Sequence, residues 1–189
     1  MSWMEIAAVL LGLANVGLLV RRSVWNYPFG MAMVALYSAI FFGATLYSEA
    51  GLQVFFFFVQ IYGWWLWTRN RGTEGPVEVR WLEGGQRLIW GAITIALSLS
   101  LGWIMQHFTN AAKPFADSAI AGASIAAQLL LSFRRIENWV LWIVIDVASI
   151  GLYINRGLLL TAGLYVVFLL LSVLGLREWI NAPRTRPEA

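Results

Sequence analysis

Long apolar runs separated by short polar connections dominate this chain. Each run is close to the roughly 20 residues that an α-helix needs to cross the hydrocarbon of a bilayer. The runs lie at about 4–20, 28–48, 51–68, 88–108, 116–132, 137–154 and 157–176. The longest polar stretch, at 69–87, follows the third run and predicts a surface loop. The pattern therefore predicts an all-α integral membrane protein with seven transmembrane helices.

Composition excludes a water-soluble fold and argues against catalysis. Of the 189 residues, 60% are hydrophobic and 12% are charged, whereas soluble domains average about 45–50% and about 25%. The chain has no cysteine, which excludes disulfides and thiolate chemistry. Its sole histidine, His107, lies at the end of the fourth run without a hydrolase or metal-ligand motif around it. We therefore expect neither an enzyme nor a bound cofactor or metal.

The basic residues fall almost entirely on one side of the predicted membrane. Eleven of the thirteen lie on that side: Arg21, Arg22, Arg69, Arg71, Arg80, Arg87, Arg134, Arg135, Arg177, Arg184 and Arg186. Only Lys113 and Arg156 fall on the other. Cytoplasmic loops carry the excess of Lys and Arg, so we expect an external N-terminus and a cytoplasmic C-terminus. This topology explains the basic balance without nucleic-acid binding.

A repeat appears when the chain is compared with itself at a shift of 112. The informative matches are Glu5 with Asp117, Arg22 with Arg134, Asn26 with Asn138, Gly63 with Gly175 and Trp67 with Trp179. They predict a first three-helix repeat at 1–68, a loop and linker helix at 69–115, and a second repeat with a tail at 116–189. Three helices plus one make an even number of crossings, so the repeats enter the membrane from the same side. Parallel repeats occur in transporters, with substrate bound between the halves near the midplane.

Two helix faces carry the residues with chemical potential. In the sixth run, Asn138, Trp142, Asp146 and Tyr153 fall within roughly 80° of one face at about 100° per residue. In the third run, Gln53, Gln60, Trp64 and Trp67 fall within about 60° by the same geometry. Amides and carboxylates need partners inside a membrane, so both faces are expected to point into the bundle. These eight residues are the candidate substrate-binding set.

Asp146 is the most informative of these residues. An ionised side chain at mid-membrane depth costs at least about 2.5–3.5 kcal/mol, and intramembrane acids are usually functional. Tryptophan faces attract cations, so a carboxylate beside them favours a flat aromatic cation as ligand. The alternative for Asp146 is a structural acid paired with a buried hydroxyl.

The other polar and aromatic residues have structural alternatives too. Gln60 and Asn138 could join helices by hydrogen bonds, and Trp64 and Trp67 could be interfacial anchors. Trp65 and Trp139 lie off the polar faces, and Trp179 lies near a helix end; for all three, anchoring is the natural role. Asn15 and Gln128 are lone polar residues, for which packing is the simpler interpretation.

The motifs Q-x3-W-x2-W (Gln60, Trp64, Trp67) and N-x3-W-x3-D-x6-Y (Asn138, Trp142, Asp146, Tyr153) resemble those of the PnuC family of bacterial vitamin transporters. The resemblance covers nearly the whole chain. It implies a three-plus-one-plus-three fold similar to SWEET sugar transporters in the bacterial inner membrane, commonly as a homotrimer. It also implies uptake of nicotinamide riboside by facilitated diffusion, with trapping by a cytoplasmic kinase. Thiamine is the alternative substrate, some relatives carry riboflavin, and a non-transporting structural or signalling protein is the alternative of another class.

Overall fold

The computed structural model describes residues 3–43, 47–69, 78–108, 114–155 and 159–182. Within these ranges the chain forms seven α-helices, as predicted. They are α1 (Trp3–Val20), α2 (Asn26–Gly43), α3 (Tyr47–Arg69), α4 (Gly84–Phe108), α5 (Pro114–Ser132), α6 (Glu137–Asn155) and α7 (Leu159–Ile180). Six of them are long and apolar enough to cross a membrane. The exception is α2, which opens with the polar or helix-breaking residues Asn26, Tyr27 and Pro28.

Some helix limits differ from the predicted runs. The fourth helix begins at Gly84, one turn before the predicted 88. The apolar run misses this first turn because the turn carries the polar Gln86 and Arg87. The last helix continues to Ile180 through Arg177 and Glu178, past the predicted end at 176. Hydropathy ends a run where polar residues begin, whereas a helix continues as long as its backbone hydrogen bonds are made.

The helices of the described chain pack in a closed ring, with one helix outside it. In order around the ring, α1 packs on α2, α2 on α3, α3 on α5, α5 on α6, α6 on α7, and α7 on α1. The remaining helix, α4, packs against α5 alone. The middle of each triplet, α2 or α6, therefore lies between its two sequence neighbours, while α3–α5 and α1–α7 join the triplets.

Two connections of this ring have the same local structure and are related by the shift of 112. After α1, the Ser23 N–H donates to the Leu18 carbonyl (3.0 Å), and after α5 the Arg135 N–H donates to the Leu130 carbonyl (2.8 Å). Arg22 and Arg134 precede these donors and lie in the left-handed region, at φ 56° and 59°. This arrangement is the Schellman C-terminal motif, in which glycine is the usual residue. The left-handed backbone costs an arginine about 1–2 kcal/mol relative to its ordinary conformation. Both turns therefore carry a positively charged side chain where glycine would be less strained.

A cluster of four buried aromatic rings fills the end of the ring where α1, α3, α5 and α7 finish. This aromatic cluster comprises Tyr27, Trp67, Trp139 and Trp179. The indole N–H of Trp67 donates to the Leu131 carbonyl (3.3 Å), and that of Trp179 donates to the Leu19 carbonyl (3.1 Å). Carbonyls at a helix C-terminus lack partners within their own helix. The two indoles therefore tie α3 to the end of α5 and α7 to the end of α1.

Glycines allow the aromatic cluster to close. A side chain at Gly63 would collide with the Tyr27 ring, and one at Gly175 would collide with the Trp139 ring. With hydrogen at both positions, Tyr27 meets Trp67 edge-on at 5.2 Å and Trp139 meets Trp179 edge-on at 5.5 Å between ring centroids. Edge-to-face geometry is a favoured aromatic arrangement.

The expected anchoring role is wrong for Trp139 and Trp179, which are both 1% exposed. Their indoles fill the contact between helices instead of facing the membrane interface. Trp65, at 48% exposed with the Arg69 guanidinium 5.1 Å over its ring, has the exposure that an interfacial anchor requires.

The aromatic cluster predicts a large difference between two tryptophans. Trp139→Ala should lower the free energy of unfolding by about 3–5 kcal/mol, because it opens a cavity in the packed end of the ring. Trp65→Ala, the matched control on the surface, should change it by no more than about 0.5 kcal/mol. Thermal and denaturant unfolding in detergent measure both. Equal losses for the two variants would contradict the packing described here.

Candidate functional site

The intramembrane carboxylate lies inside the ring, between α6 and α7. Asp146 is 4% exposed, and the hydroxyl of Ser172 on α7 donates to its Oδ2 at 2.9 Å. The ion pairs Arg80–Glu78 and Arg87–Glu137 are made by other acids, away from this position. A carboxylate offers about four acceptor sites, so one hydroxyl leaves most of its capacity for a ligand. Asp146 is thus paired with a buried hydroxyl, as the structural alternative expects, and still has acceptor sites that this bond does not use.

A second polar group lies between α1, α2 and α3. Gln60 on α3 is 5% exposed, and its side-chain amide lies over Gly30 on α2, with the Asn15 oxygen from α1 beside the same glycine. Any side chain at Gly30 would collide with that amide. The missing side chain of Gly30 leaves the space that the Gln60 amide occupies. Two side-chain amides, Gln60 of α3 and Asn15 of α1, thus meet beside one glycine of α2.

The same positions in the second half carry different chemistry. The shift of 112 takes Gly30 to Trp142, Gln60 to Ser172 and Val34 to Asp146. One half thus supplies an amide over a glycine, and the other supplies a carboxylate, a hydroxyl and an indole. Trp142 is half-buried and packs against the hydrophobic core that contains the aromatic cluster.

Tyrosines surround the other end of the α6 face. The ring of Tyr153 lies 5.1 Å from that of Tyr165 on α7, and Tyr165 meets Phe168 edge-on at 5.9 Å. Tyr165 lies within electrostatic range of Asp146 and Tyr37. Gln53, half-buried on α3, is the residue that the shift of 112 matches to Tyr165. Tyr165 of α7 therefore connects Asp146 with the tyrosines of α2 and α6.

Three of the predicted residues lie apart from Asp146 and Gln60. Trp67 is fully buried in the aromatic cluster, with its N–H donated to Leu131. Asn138 lies at the start of α6, where its side-chain amide donates to the Arg135 carbonyl at 2.6 Å. Trp64 is 40% exposed. The α3 face therefore divides: Gln60 points into the ring, Trp67 reaches the aromatic cluster, and Trp64 is open to the surroundings.

Asn138 nevertheless keeps a free acceptor. It is completely buried, and its Oδ1 has no hydrogen-bond partner among the described residues. A buried amide oxygen without a partner costs about 1–3 kcal/mol. Asn26, its counterpart in the first half, makes the same bond from its side-chain nitrogen to the Ser23 carbonyl at 2.7 Å. The bond made by the nitrogen is thus shared by both connections and is structural.

Two members of the site are not predicted from the sequence. In the sequence, Ser172 is notable only as the residue that the shift of 112 matches to Gln60. Asn15 is a lone polar residue, for which packing is the simpler interpretation. The signal for Ser172 is its place in that match, since a serine in an apolar helix commonly bonds its own backbone, as Ser124 does with Ile120 (2.8 Å). The signal for Asn15 is weaker, because the shift of 112 matches it to Ala127.

Comparison with known proteins identifies the family. Residues 2–181 match the family model described as nicotinamide mononucleotide transporter. The chain belongs to this family. It is a multi-pass membrane transporter and not an enzyme.

The similar proteins include transporters of two vitamins. The chain is 32% identical to the nicotinamide riboside transporter PnuC of Escherichia coli (strain K12), over 98% of this chain and 88% of that protein. It is 28% identical to the riboflavin/roseoflavin transporter RibM of Streptomyces davaonensis, over 94% and 84% of the two chains. The crystal structure of the vitamin B3 transporter PnuC superposes with a TM-score of 0.79 at 28% identity, covering 95% of this chain and 81% of that one. The transporter fold is therefore shared over nearly the whole chain.

The Asp146–Ser172 contact predicts a measurable coupling. In a double-mutant cycle of Asp146→Asn and Ser172→Ala, the coupling energy should exceed the roughly 0.6 kcal/mol typical of membrane hydrogen bonds. It should lie nearer to about 1.5–3 kcal/mol, because hydrogen bonds to charged groups are stronger. Unfolding in detergent measures it.

Ser124→Ala is the matched control for this cycle, because its hydroxyl bonds its own helix in the described chain. Its effect should be the same whether or not the Asp146→Asn substitution is also present. A coupling near zero for the Ser172 variant would show that the hydroxyl does not stabilise the carboxylate.

Proposed function

We propose that this protein takes up nicotinamide riboside by facilitated diffusion, with Asp146 as the counter-charge for the pyridinium ring. The observation that carries the proposal is the buried carboxylate with unused acceptor capacity inside the ring of a transporter. A relative 32% identical to this chain is named for the same substrate. Nicotinamide riboside carries a cationic ring, a carboxamide and ribose hydroxyls, which a carboxylate, aromatic faces and amides can bind.

The charge of the site favours the riboside over the mononucleotide for which the family is named. Among the described residues, the polar neighbours of Asp146 are Ser172 and Tyr165, and beside Gln60 lies the neutral amide of Asn15. In the described part of the chain no cation forms an ion pair with Asp146, so a phosphate would meet an unneutralised carboxylate. Like charges placed together cost several kcal/mol. The unphosphorylated riboside has no such conflict.

Thiamine is the second candidate, because it too is an aromatic cation that Asp146 could neutralise. Riboflavin, the substrate named for the 28% identical relative, is neutral and gives a buried carboxylate no role. The binding set in this proposal keeps the eight predicted residues and adds Ser172 and Asn15 in support. Its centre is Gln53, Gln60, Trp142, Asp146 and Tyr153, and Trp64, Trp67 and Asn138 lie apart from that centre.

The architecture that we propose is two parallel three-helix repeats with α4 as the linker, as in SWEET transporters. The support comes from contacts that recur at a spacing of 112: the left-handed arginines, the side-chain bonds of the two asparagines, and the two indole bonds. The proposed setting is the bacterial inner membrane, with the N-terminus outside and the arginine-rich end cytoplasmic. From the family resemblance we further propose that the chain forms a homotrimer and that a cytoplasmic kinase traps the substrate by phosphorylating it.

The role of Asp146 is tested with a matched pair of ligands. Asp146→Asn should weaken binding of nicotinamide riboside by about tenfold or more, since interactions with charged groups contribute about 1.5–3 kcal/mol. It should leave binding of the reduced, uncharged riboside unchanged. Calorimetry on purified protein measures both, and equal losses for the two ligands would remove the counter-charge role.

The transport mode is tested separately in proteoliposomes. No second Asp, Glu or His lies deep in the predicted spans to form a relay with Asp146, and proton relays use chains of such groups. Exchange of labelled substrate should therefore persist without any proton or sodium gradient, and accumulation should require a trapping kinase. Concentrative uptake driven by an imposed pH gradient in kinase-free vesicles would recast Asp146 as a coupling site.

A further inference from the structure

A cavity separate from the Asp146 site opens between α3 and α4 at the arginine-rich end. Its volume is about 440 Å³, and no residue of the proposed substrate site lines it. Its walls include Leu66, Ile89, Trp90, Phe133, Arg134 and Arg135. The cavity thus combines an apolar and aromatic wall with a cationic rim.

The helix packing leaves this cavity open sideways. Both α3 and α4 pack on α5, but in the described chain they do not pack on each other. Phe133, just after α5, forms the floor between them: its ring centroid lies 6.2 Å from Tyr62 of α3 and 6.2 Å from Trp90 of α4. In a bilayer, a wedge between two spanning helices faces lipid.

The neighbouring acids of the described chain pair outside the cavity. Glu137 binds Arg87 at 2.9 Å, and Glu78 binds Arg80 at 3.3 Å. The Arg135 guanidinium makes a long hydrogen bond, to the Trp81 carbonyl at 3.4 Å. Both acids thus form ion pairs with arginines outside the cavity, while Glu78 also lies within electrostatic range of Arg134.

Arg134 is also partly desolvated. Burial lowers the pKa of its guanidinium, Glu78 raises it, and the charges of Arg80 and Arg135 lower it again. Its counterpart Arg22, in the same left-handed turn, has Glu178 as its charged neighbour. Arg134 therefore has two cationic neighbours beside one acid, whereas the charged neighbour of Arg22 is an acid. An anion at the rim would offset the repulsion that Arg80 and Arg135 exert on Arg134.

We propose that this groove binds an anionic phospholipid, with its phosphate between Arg134 and Arg135 and an acyl chain along Leu66 and Ile89. Basic pockets between transmembrane helices recognise anionic headgroups, and aromatic side chains concentrate at that depth of the membrane. The apolar wall favours a lipid over a free phosphate, because an acyl chain can pack against this wall and a free phosphate cannot. The site is separate from substrate binding, and its test does not depend on transport.

Native mass spectrometry of the purified chain, titrated with phosphatidylglycerol and phosphatidylcholine, tests the proposal. Phosphatidylglycerol should bind saturably and about tenfold or more tightly than phosphatidylcholine, because each basic residue near an anionic lipid contributes about fivefold. Arg134→Asn combined with Arg135→Gln should abolish that preference. Asparagine at 134 tolerates the left-handed backbone, and if the double variant does not fold, Arg135→Gln alone should lower the preference about fivefold.

The control variant is Arg22→Asn, which changes the same residue type in the same turn beside Glu178 and should leave the preference intact. Equal binding of the two lipids, or an equal loss in the control, would overturn the proposal. Competition by inorganic phosphate at the concentration of the lipid would also overturn it in favour of a phosphate site.

A neighbouring copy of the chain is the other possible occupant of the groove. Because the chain has no cysteine, a single cysteine replacing Ile89 can be oxidised in native membranes. We expect no disulfide-linked dimer. A dimer together with loss of phosphatidylglycerol binding would make the groove an interface between copies and would contradict the lipid proposal.

Discussion

A bilayer offers its proteins no water to bond with, and this constraint explains the buried polar contacts between the helices. A buried donor or acceptor that finds no partner in the chain therefore costs free energy. The indoles of Trp67 and Trp179 bond carbonyls at the ends of α5 and α1. Asp146, the acid within α6, accepts a bond from the Ser172 hydroxyl. Polar groups that face the interior therefore join helices, and those left incompletely bonded are the ones that can recognise a ligand.

The two halves of the ring share their ends and differ in the middle. At the ends, the arginine turns, the asparagine bonds and the glycine-supported aromatic pairs recur at a spacing of 112. In the middle, Gly30 and Gln60 correspond to Trp142 and Ser172, and Val34 corresponds to Asp146. An asymmetric solute needs such a centre, because its cationic ring and its ribose require different partners. The recurring contacts at the ends can stabilise the helix packing, while the residues in the middle differ between the halves and can recognise the ligand.

The helices are predictable from the sequence because their signal is local. Apolar length alone locates all seven, and the spacing of 112 matches Trp67 with Trp179 without predicting the bonds that their indoles make. The burial of Trp139 cannot be predicted in this way, because the face that an apolar helix buries depends on its neighbours, here Trp179 and Gly175. Likewise, the bond from Ser172 to Asp146 depends on how α6 meets α7.

The central claim is that one buried carboxylate among neutral amides, hydroxyls and aromatic rings selects an aromatic cation without a phosphate. The most direct test is a calorimetric titration of the purified protein with nicotinamide riboside, nicotinamide mononucleotide, thiamine and riboflavin under identical conditions. The account predicts saturable binding of the riboside, at least about tenfold weaker binding of the mononucleotide because of like-charge repulsion, and no preference for riboflavin. Tighter binding of the mononucleotide or of riboflavin than of the riboside would contradict it.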